Sequence, residues 1–206
     1  MKNKKTIVRI SKYKNALKRF KMLGLSRVFS DNLAEAVGVS SIQVRKDFSL
    51  FGITGNKRGG YPIDALMEQL RSVLGKQDIK KVIIVGVGNM GAALIRYNGF
   101  ERELINIVAG FDSDTAKLSP HAPIPILHID KLENFVRDNA IKIGIIAVPD
   151  MAAQRIVDCM IGAGIKGILN FASIRLNAPE GCFINSVNLI PELESVIYFT
   201  KDEEKK

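Results

Sequence analysis

The sequence is poor in the residues that build metal sites and contains no long apolar run. Its two cysteines, Cys159 and Cys182, have no CxxC spacing, and its two histidines, His121 and His128, lack the spacing of metal ligands. We therefore predict no metal site. No stretch approaches the roughly 20 apolar residues that a membrane span requires, and the basic first residues lack the apolar core of a secretory signal. These absences favour a cytoplasmic protein that does not bind membranes.

The positive charge of the chain is concentrated at one end. Residues 1–78 contain 16 Lys and Arg against 6 Asp and Glu, a net charge of +10, whereas the remainder contains 14 against 15, a net charge of −1. A cationic segment joined to a neutral body is typical of a phosphate-backbone binder attached to a sensing or catalytic domain. On charge alone, a solubilising basic tail is the alternative.

The N-terminal part shows the pattern of a helix-turn-helix. Apolar residues at helical spacing predict a first helix over 10–23, and a second helix over 30–37 is predicted to have Ser30 as its N-cap. Ser40 with Gln43 fits a capping box at the start of a third helix, which in this motif lies in the major groove. The polar positions predicted to face outward on the third helix and to bind DNA are Gln43, Arg45, Lys46 and Ser49.

A glycine-rich segment follows the third helix. In ITGNKRGGY, three glycines and an asparagine surround Lys57 and Arg58, which is typical of a hairpin rather than of a helix. We interpret it as a wing whose basic pair reaches the sugar-phosphate backbone or a minor groove. A further amphipathic helix is predicted over 62–74, so the sequence predicts a winged helix-turn-helix domain over residues 1–77.

From Lys81 onward, short apolar strands alternate with helices. The run VIIV precedes GVGNMG and a helix, a second strand ends at Asp112, and further strands are predicted near 123–127, in IGIIAV and in GILNF. Strands that alternate with helices predict an α/β fold with a Rossmann-type, doubly wound parallel sheet. We assign this domain to residues 78–186.

The segment GVGNMG has the glycine spacing of a dinucleotide-binding loop. Gly86 would permit a sharp turn, Gly88 the close approach of a pyrophosphate, and Gly91 the packing of helix on strand. Asp112 ends the second strand, where a carboxylate can accept hydrogen bonds from the adenosine ribose and repel a 2′-phosphate. The sequence therefore predicts NAD(H) rather than NADP(H), with a structural glycine turn or a coenzyme A site as alternatives.

The sequence does not supply the rest of an enzyme active site. A dehydrogenase adds a substrate domain that carries an acid or base, yet only 35 residues follow the strand that ends at Phe171. The final segment, 187–206, includes a helix with more apolar residues than one small domain needs to bury, which predicts dimerisation. These residues are Leu189, Leu193, Val196, Ile197 and Phe199. A dinucleotide-dependent enzyme and a protein-binding redox adaptor are the alternatives to a DNA-binding regulator.

Several strings in a fixed order resemble the Rex family of bacterial redox-sensing transcriptional repressors. They are VSSIQVRKDFSLFG, NKRGGY, VGVGNMG, FDSD and AGIKGILNFASIRL, and they span nearly the whole chain. The resemblance implies a homodimer that exchanges its C-terminal helix, binds operator DNA, reads the NADH/NAD+ ratio and releases DNA when NADH binds. The DNA contacts that it implies are Arg45, Lys46, Ser49, Lys57 and Arg58.

The resemblance also implies which residues hold the NAD(H) cofactor. They are Gly86, Val87, Gly88, Asn89, Met90, Gly91, Asp112, Val148 and Pro149, with Tyr97 and Phe171 near the nicotinamide. The sequence departs from the family pattern at Asn15 and Asn188, where the resemblance calls for the Arg and the Asp of the redox switch. The charged pair of that switch is therefore missing from this chain.

Overall fold

The computed structural model describes residues 4–56, 59–75 and 77–200. The chain divides into two compact units, Met1–Asp78 and Ile79–Lys206. The sequence places its domain boundary after residue 77, next to this division, and the segment 187–206 falls within the second unit.

The first unit consists of helices and a two-stranded antiparallel sheet. Its elements are α1 (Lys4–Met22), β1 (Arg27–Val28), α2 (Ser30–Val37), α3 (Ser41–Ser49), β2 (Tyr61–Pro62) and α4 (Ile63–Val73). Val28 pairs with Tyr61 across the sheet. The predicted winged helix-turn-helix is confirmed, although α1 begins at Lys4 rather than at Ile10. The additional turns form because Thr6, one turn before Ile10, is also buried.

The core of the first unit fixes the orientation of α3. Val44 and Phe48 of α3 are fully buried. The Phe48 ring lies edge-on between two tyrosine rings, with centroids 5.5 Å from Tyr13 of α1 and 5.2 Å from Tyr61 of β2. Removing such a ring from a core costs about 3–5 kcal/mol. One face of α3 is therefore held by α1 and β2.

The helix ends in this unit differ in part from the prediction. Ser30 is the first residue of α2 rather than its N-cap, because Phe29 occupies the cap position and its N–H donates to Asn32 Oδ1 at 3.0 Å. Ser40 does cap α3, since its hydroxyl accepts from the backbone N–H of Gln43 at 3.2 Å. The reciprocal half of the predicted capping box does not form, because the Gln43 side chain binds elsewhere on α3.

The second unit contains one parallel sheet with helices. Its elements are β3 (Lys80–Val85), α5 (Asn89–Ile95), β4 (Ile105–Asp112), β5 (Ile126–His128), α6 (Leu132–Asp138), β6 (Ile143–Ile146), α7 (Asp150–Ala163), β7 (Gly167–Asn170), β8 (Phe183–Ser186) and α8 (Leu189–Thr200). The strand order in the described part of the chain is β5-β4-β3-β6-β7-β8, and every neighbouring pair is parallel. This is the Rossmann order, so the predicted fold class is confirmed.

The order of the strands determines where a ligand can bind. Strands β4 and β5 lie on one side of β3, and strands β6, β7 and β8 lie on its other side, so the strand order reverses at β3. In doubly wound sheets, the crevice at the carboxyl ends of the strands at such a point is the usual ligand site. The glycine-rich segment follows β3 directly, and Asp112 ends β4. Both predicted parts of the dinucleotide site therefore lie at the same edge of the sheet.

Candidate functional site

The loop after β3 requires two of its glycines for its own shape and leaves the third facing open space. Gly86 has a φ of +91°, and a Cβ there would lie 2.4 Å from the carbonyl oxygen of Ala147. A Cβ on Gly91 would lie 1.9 Å from the carbonyl oxygen of Gly86. A Cβ on Gly88 would meet nothing within 4 Å. The free space at Gly88 is therefore available to a ligand rather than occupied by the protein.

The carboxylate of Asp112 is fixed beside this loop. Its Oδ2 accepts from the backbone N–H of Val87 at 2.8 Å, and its Oδ1 accepts from the N–H of Asp114 at 2.9 Å. The Lys117 ammonium lies 3.2 Å from Oδ2. Burial raises the pKa of Asp112, but the N–H groups of Asp114 and Val87, together with Lys117, outweigh burial and lower it. Asp112 is therefore an ionised, oriented hydrogen-bond acceptor at neutral pH.

A cavity of about 1030 Å³ opens at this edge of the sheet. Seven of the predicted cofactor residues line it, namely Gly86, Gly88, Met90, Asp112, Val148, Pro149 and Phe171. Three others belong to the loop and to the start of α5 without lining the cavity, namely Val87, Asn89 and Gly91. The size of the cavity suits a drug-sized or larger ligand. The structure therefore brings ten of the eleven predicted cofactor residues to one region.

Tyr97 is the predicted residue that does not reach the cavity. Its side chain is 58% exposed, and its ring packs edge-on against Phe100 with centroids 5.1 Å apart. The ring lies over Gly99, where a Cβ would come within 2.3 Å of it. Because α5 ends at Ile95, the chain turns before Tyr97 and directs its ring onto this glycine. The role of Tyr97 near a nicotinamide stays a prediction.

Sequence reasoning missed the helical wall of the cavity. Residues of α6 and α7 line it, among them Glu133, Asn134, Ala152, Arg155, Ile156 and Cys159. The α7 members lie at spacings of three and four, so the stripe that follows Pro149 was a usable signal. Burial and the neighbouring Glu133 carboxylate raise the pKa of the Cys159 thiol. Cys159 therefore remains a neutral thiol in this wall.

The predicted DNA-binding residues of α3 occupy different environments. Arg45, Lys46 and Ser49 are exposed, as predicted. Gln43 is half-buried rather than fully outward, because its side-chain amide donates to Asp47 at 2.8 Å. One guanidinium nitrogen of Arg45 donates to Ser30 Oγ and another to Ser41 Oγ, both at 3.3 Å. Arg45 and Lys46 therefore place two positive charges on the exposed face of α3, and Arg45 contacts the serine at the start of this helix.

Two described residues of the segment predicted as a wing, Asn56 and Gly60, pair with each other. The N–H of Gly60 donates to the carbonyl of Asn56 at 2.8 Å, and the N–H of Asn56 donates back at 3.3 Å. The side chain of Arg27 in β1 also donates to the carbonyl of Gly59. Lys57 and Arg58, the basic pair of the predicted wing, lie outside the described residues. The role of this pair in binding DNA stays a prediction.

The C-terminal helix α8 presents apolar side chains to solvent in the single chain. None of its residues is buried. The exposed apolar residues are Leu189, Ile190, Leu193, Val196, Ile197, Tyr198 and Phe199. Contiguous exposed apolar surface of this kind marks an interaction site in a folded protein.

Among the described residues, no helix is both long enough and apolar enough to cross a membrane.

Two family models match the chain in the order that the structure shows. Residues 4–49 match the model described as "Putative DNA-binding protein N-terminus". Residues 77–174 match the model described as "CoA binding domain". The two matches correspond to the helix-turn-helix and to the larger part of the Rossmann unit.

Curated relatives match almost the entire chain. A protein of Desulforamulus reducens is 39% identical over 201 residues, which cover 97% of this chain and 96% of the relative. A protein of Bacillus subtilis is 39% identical over 197 residues, which cover 95% and 91% respectively. Both are named "Redox-sensing transcriptional repressor Rex". These relatives are repressors rather than enzymes, as the sequence predicts for this chain.

Solved structures agree with the sequence relatives. The structure of RSP in complex with beta-NAD+ and operator DNA has a TM-score of 0.92 at 31% identity, covering 99% of this chain and 94% of that one. The structure of RSP in complex with beta-NADH has a TM-score of 0.88 at 31% identity, covering 99% and 96%. RSP is itself described as a Rex-family repressor. Because close to two fifths of the residues are identical to those of curated repressors over nearly the full length, the chain belongs to the Rex family of redox-sensing transcriptional repressors.

Proposed function

We propose that this protein is a cytoplasmic transcriptional repressor that binds operator DNA as a homodimer and responds to the NADH/NAD+ ratio. The observation that carries the proposal is the pairing, in one chain, of a winged helix with a glycine loop whose open Gly88 lies near an ionised Asp112. Relatives of nearly the same length carry the repressor name, and a structural relative was solved with NAD+ and operator DNA.

The charges beside the glycine loop support NAD(H) over a ribose-phosphorylated ligand. Lys117 is paired with Asp112 and also lies 3.7 Å from Asp114, so its charge is compensated. A phosphate on the adenosine ribose would therefore meet a net negative site. NADP(H) and coenzyme A are both disfavoured at this site, because each carries a phosphate on its adenosine ribose. Val148, Pro149 and Phe171 add apolar surface that favours the uncharged reduced ring over the positively charged oxidised ring.

The dimer is proposed to form through α8. Its exposed apolar residues would be covered by a second copy of this chain, as the resemblance to Rex implies. Burial of such side chains contributes roughly 25 cal/mol for each Å² removed from water. Seven apolar residues are exposed along the 12 positions of this helix, so covering them with a second copy would stabilise the dimer.

The redox switch is proposed to lack the charged pair that the family pattern calls for. Asn15 is exposed on α1, and Asn188 Oδ1 accepts from the N–H of Ile190 at 3.0 Å at the start of α8. An aspartate at 188 could make the same contact and would add a charge. In the family pattern, the Arg and the Asp would stabilise the form that binds DNA by about 1–3 kcal/mol. Two asparagines at these positions cannot supply that stabilisation. The effect of NADH on DNA affinity is then smaller than in a protein with that pair.

The proposal is tested by DNA binding on the upstream region of the protein's own gene. Gel-shift titrations are performed with no ligand, NAD+, NADH, NADPH and coenzyme A. We expect specific binding without ligand, weaker binding with NADH, and little effect of NADPH or coenzyme A.

Binding should also fall steeply with added salt, because each Lys or Arg on a phosphate releases counterions. Lys57→Ala with Arg58→Ala should flatten that salt dependence. Salt-insensitive binding, or no binding to any duplex from a genomic selection, would favour the adaptor alternative.

A further inference from the structure

A carboxylate is buried on the helix that is expected to enter the major groove. Asp47 lies in the last two turns of α3, and its side chain is only 1% exposed. Its neighbours Lys46 and Ser49 are exposed. An isolated buried carboxylate is strongly destabilising, so Asp47 requires partners that satisfy its oxygens.

Four hydrogen bonds converge on the two oxygens of Asp47. Arg9 binds both oxygens from α1, with Nε 2.6 Å from Oδ2 and Nη2 2.7 Å from Oδ1. The Tyr13 hydroxyl, also from α1, donates to Oδ2 at 3.0 Å. Gln43 Nε2, one turn earlier on α3, donates to Oδ1 at 2.8 Å. Burial raises the pKa of Asp47, but the bonds from Arg9, Gln43 and Tyr13 outweigh burial and lower it. The group is therefore an ionised, fully satisfied acceptor.

An ionised carboxylate determines which end of the Gln43 amide faces it. A carboxylate can only accept hydrogen bonds, so the amide nitrogen of Gln43 must point at Asp47. The carbonyl Oε1 then points away from Asp47. It accepts no hydrogen bond from the described residues and is not a buried atom. Gln43 also lines a shallow groove between α1 and α3 together with Lys46 and Ser49.

We propose that Asp47 is a positioning residue that fixes the amide of Gln43 so that this side chain reads adenine in the operator. The inference rests on the proposed function, because it requires that α3 enters the major groove. Gln43 is the third residue of α3, and in helix-turn-helix proteins the N-terminal residues of the recognition helix contact base edges.

The fixed amide matches adenine and mismatches guanine. Adenine presents an N6 donor beside an N7 acceptor in the major groove, whereas guanine presents two acceptors, O6 and N7. With one N–H of Gln43 bound to Asp47, the outward atoms are Oε1 and the second N–H, an acceptor and a donor that complement adenine. An amide that was free to rotate by half a turn could direct Oε1 inward and its N–H groups outward. Those N–H groups would match the two acceptors of guanine. Asp47 prevents that rotation and so excludes the guanine-compatible state.

The test compares base preference at single positions. Full-length wild type, Gln43→Met and Asp47→Asn are each used to select operators from a randomised duplex library. Affinities are then measured for duplexes with adenine or guanine at each enriched position. The matched control is Asp64→Asn, which removes a carboxylate that also binds α1, through Lys21, but is exposed and lies on α4.

We expect wild type to prefer adenine over guanine about ten-fold or more at one position of each half-site. Gln43→Met should abolish the adenine preference at this position and leave the other positions unchanged. Asp47→Asn should reduce the same preference to about three-fold or less while the other positions keep their enrichment. A merely structural role of Asp47 would weaken binding at all positions equally. Asp64→Asn should select the wild-type sequence.

Three outcomes would overturn the inference. They are a guanine preference that depends on Gln43, an unchanged selection by Gln43→Met, and full adenine discrimination by Asp47→Asn. Gln43→Met leaves the bonds from Arg9 and Tyr13 to Asp47 in place, so it tests the contact even if Asp47→Asn does not fold. Failure of the wild-type protein to select any sequence would instead contradict the proposed function.

Discussion

Gly88→Ala separates ligand binding from folding in the glycine loop. Gly88 has a φ of −79°, which alanine adopts without strain, and its Cβ would meet no protein atom within 4 Å. Replacing glycine at such a position stabilises a protein by about 0.4–1 kcal/mol, because the unfolded chain loses freedom. Gly88 is also the N-cap of α5, where alanine is less favourable than glycine, so the two effects oppose each other and we expect a melting temperature without ligand close to that of wild type.

The same methyl group should strongly weaken NADH binding. It would occupy the space through which a pyrophosphate approaches the loop, and each lost hydrogen bond to a charged group costs about 1.5–3 kcal/mol. The expected loss is thus about ten- to hundred-fold in Kd. At free NADH of 100 times the wild-type Kd, the ligand stabilises wild type by about 2.7 kcal/mol. With a Kd raised 100-fold, that stabilisation falls to about 0.4 kcal/mol.

The assay is thermal unfolding with and without NADH, supported by titration calorimetry. Gly162→Ala provides the matched control, because Gly162 lies in α7 and its Cβ would also meet nothing within 4 Å. This control should stabilise the protein and retain the full ligand response. Gly91→Ala cannot serve the same purpose, since its Cβ would lie 1.9 Å from the Gly86 carbonyl and would disturb the fold. Wild-type NADH affinity in Gly88→Ala would refute the assignment of this loop to a pyrophosphate.

Four further changes test other parts of the molecule. Asp112→Ala should weaken NADH binding by about 1.5–3 kcal/mol, because ribose hydrogen bonds to a charged acceptor are lost; calorimetry with unchanged affinity would exclude Asp112 from the site. Because the pKa of Asp47 is lowered on folding, its stabilisation is present above pH about 4 and disappears as the pH falls through the lowered value; melting temperatures of Asp47→Asn should therefore depend less on pH below 4 than those of wild type. Leu193→Asp on α8 should produce monomers in analytical ultracentrifugation, and a dimer of wild-type affinity would place the interface elsewhere. Asn15→Arg combined with Asn188→Asp should enlarge the ratio of operator affinities at saturating NAD+ and NADH, and an equal ratio in wild type would show that the charged pair is dispensable.

The Rossmann unit was predictable because its signals are local. A buried strand, three glycines at fixed spacing and a carboxylate at the end of the next strand all depend on short stretches of sequence. The backbone requirement of Gly86 and the tight packing at Gly91 appear in the structure at the positions that the spacing indicates. β8 was missed because it is a strand of only four residues, FINS, at the edge of the sheet, without an apolar run.

The environment of α3 was only partly predictable, because periodicity treats every polar side chain as outward. That rule holds for Arg45 and Lys46, which have no buried partner among the residues that the structure describes. It fails for Asp47, since Arg9 and Tyr13 lie 38 and 34 residues away in the sequence and reach it only after α1 packs on α3. Once Asp47 is buried, Gln43 is drawn inward one turn earlier. A buried carboxylate on α3 is thus a tertiary feature, and under the proposed function it sets the hydrogen-bonding face that this helix offers to DNA.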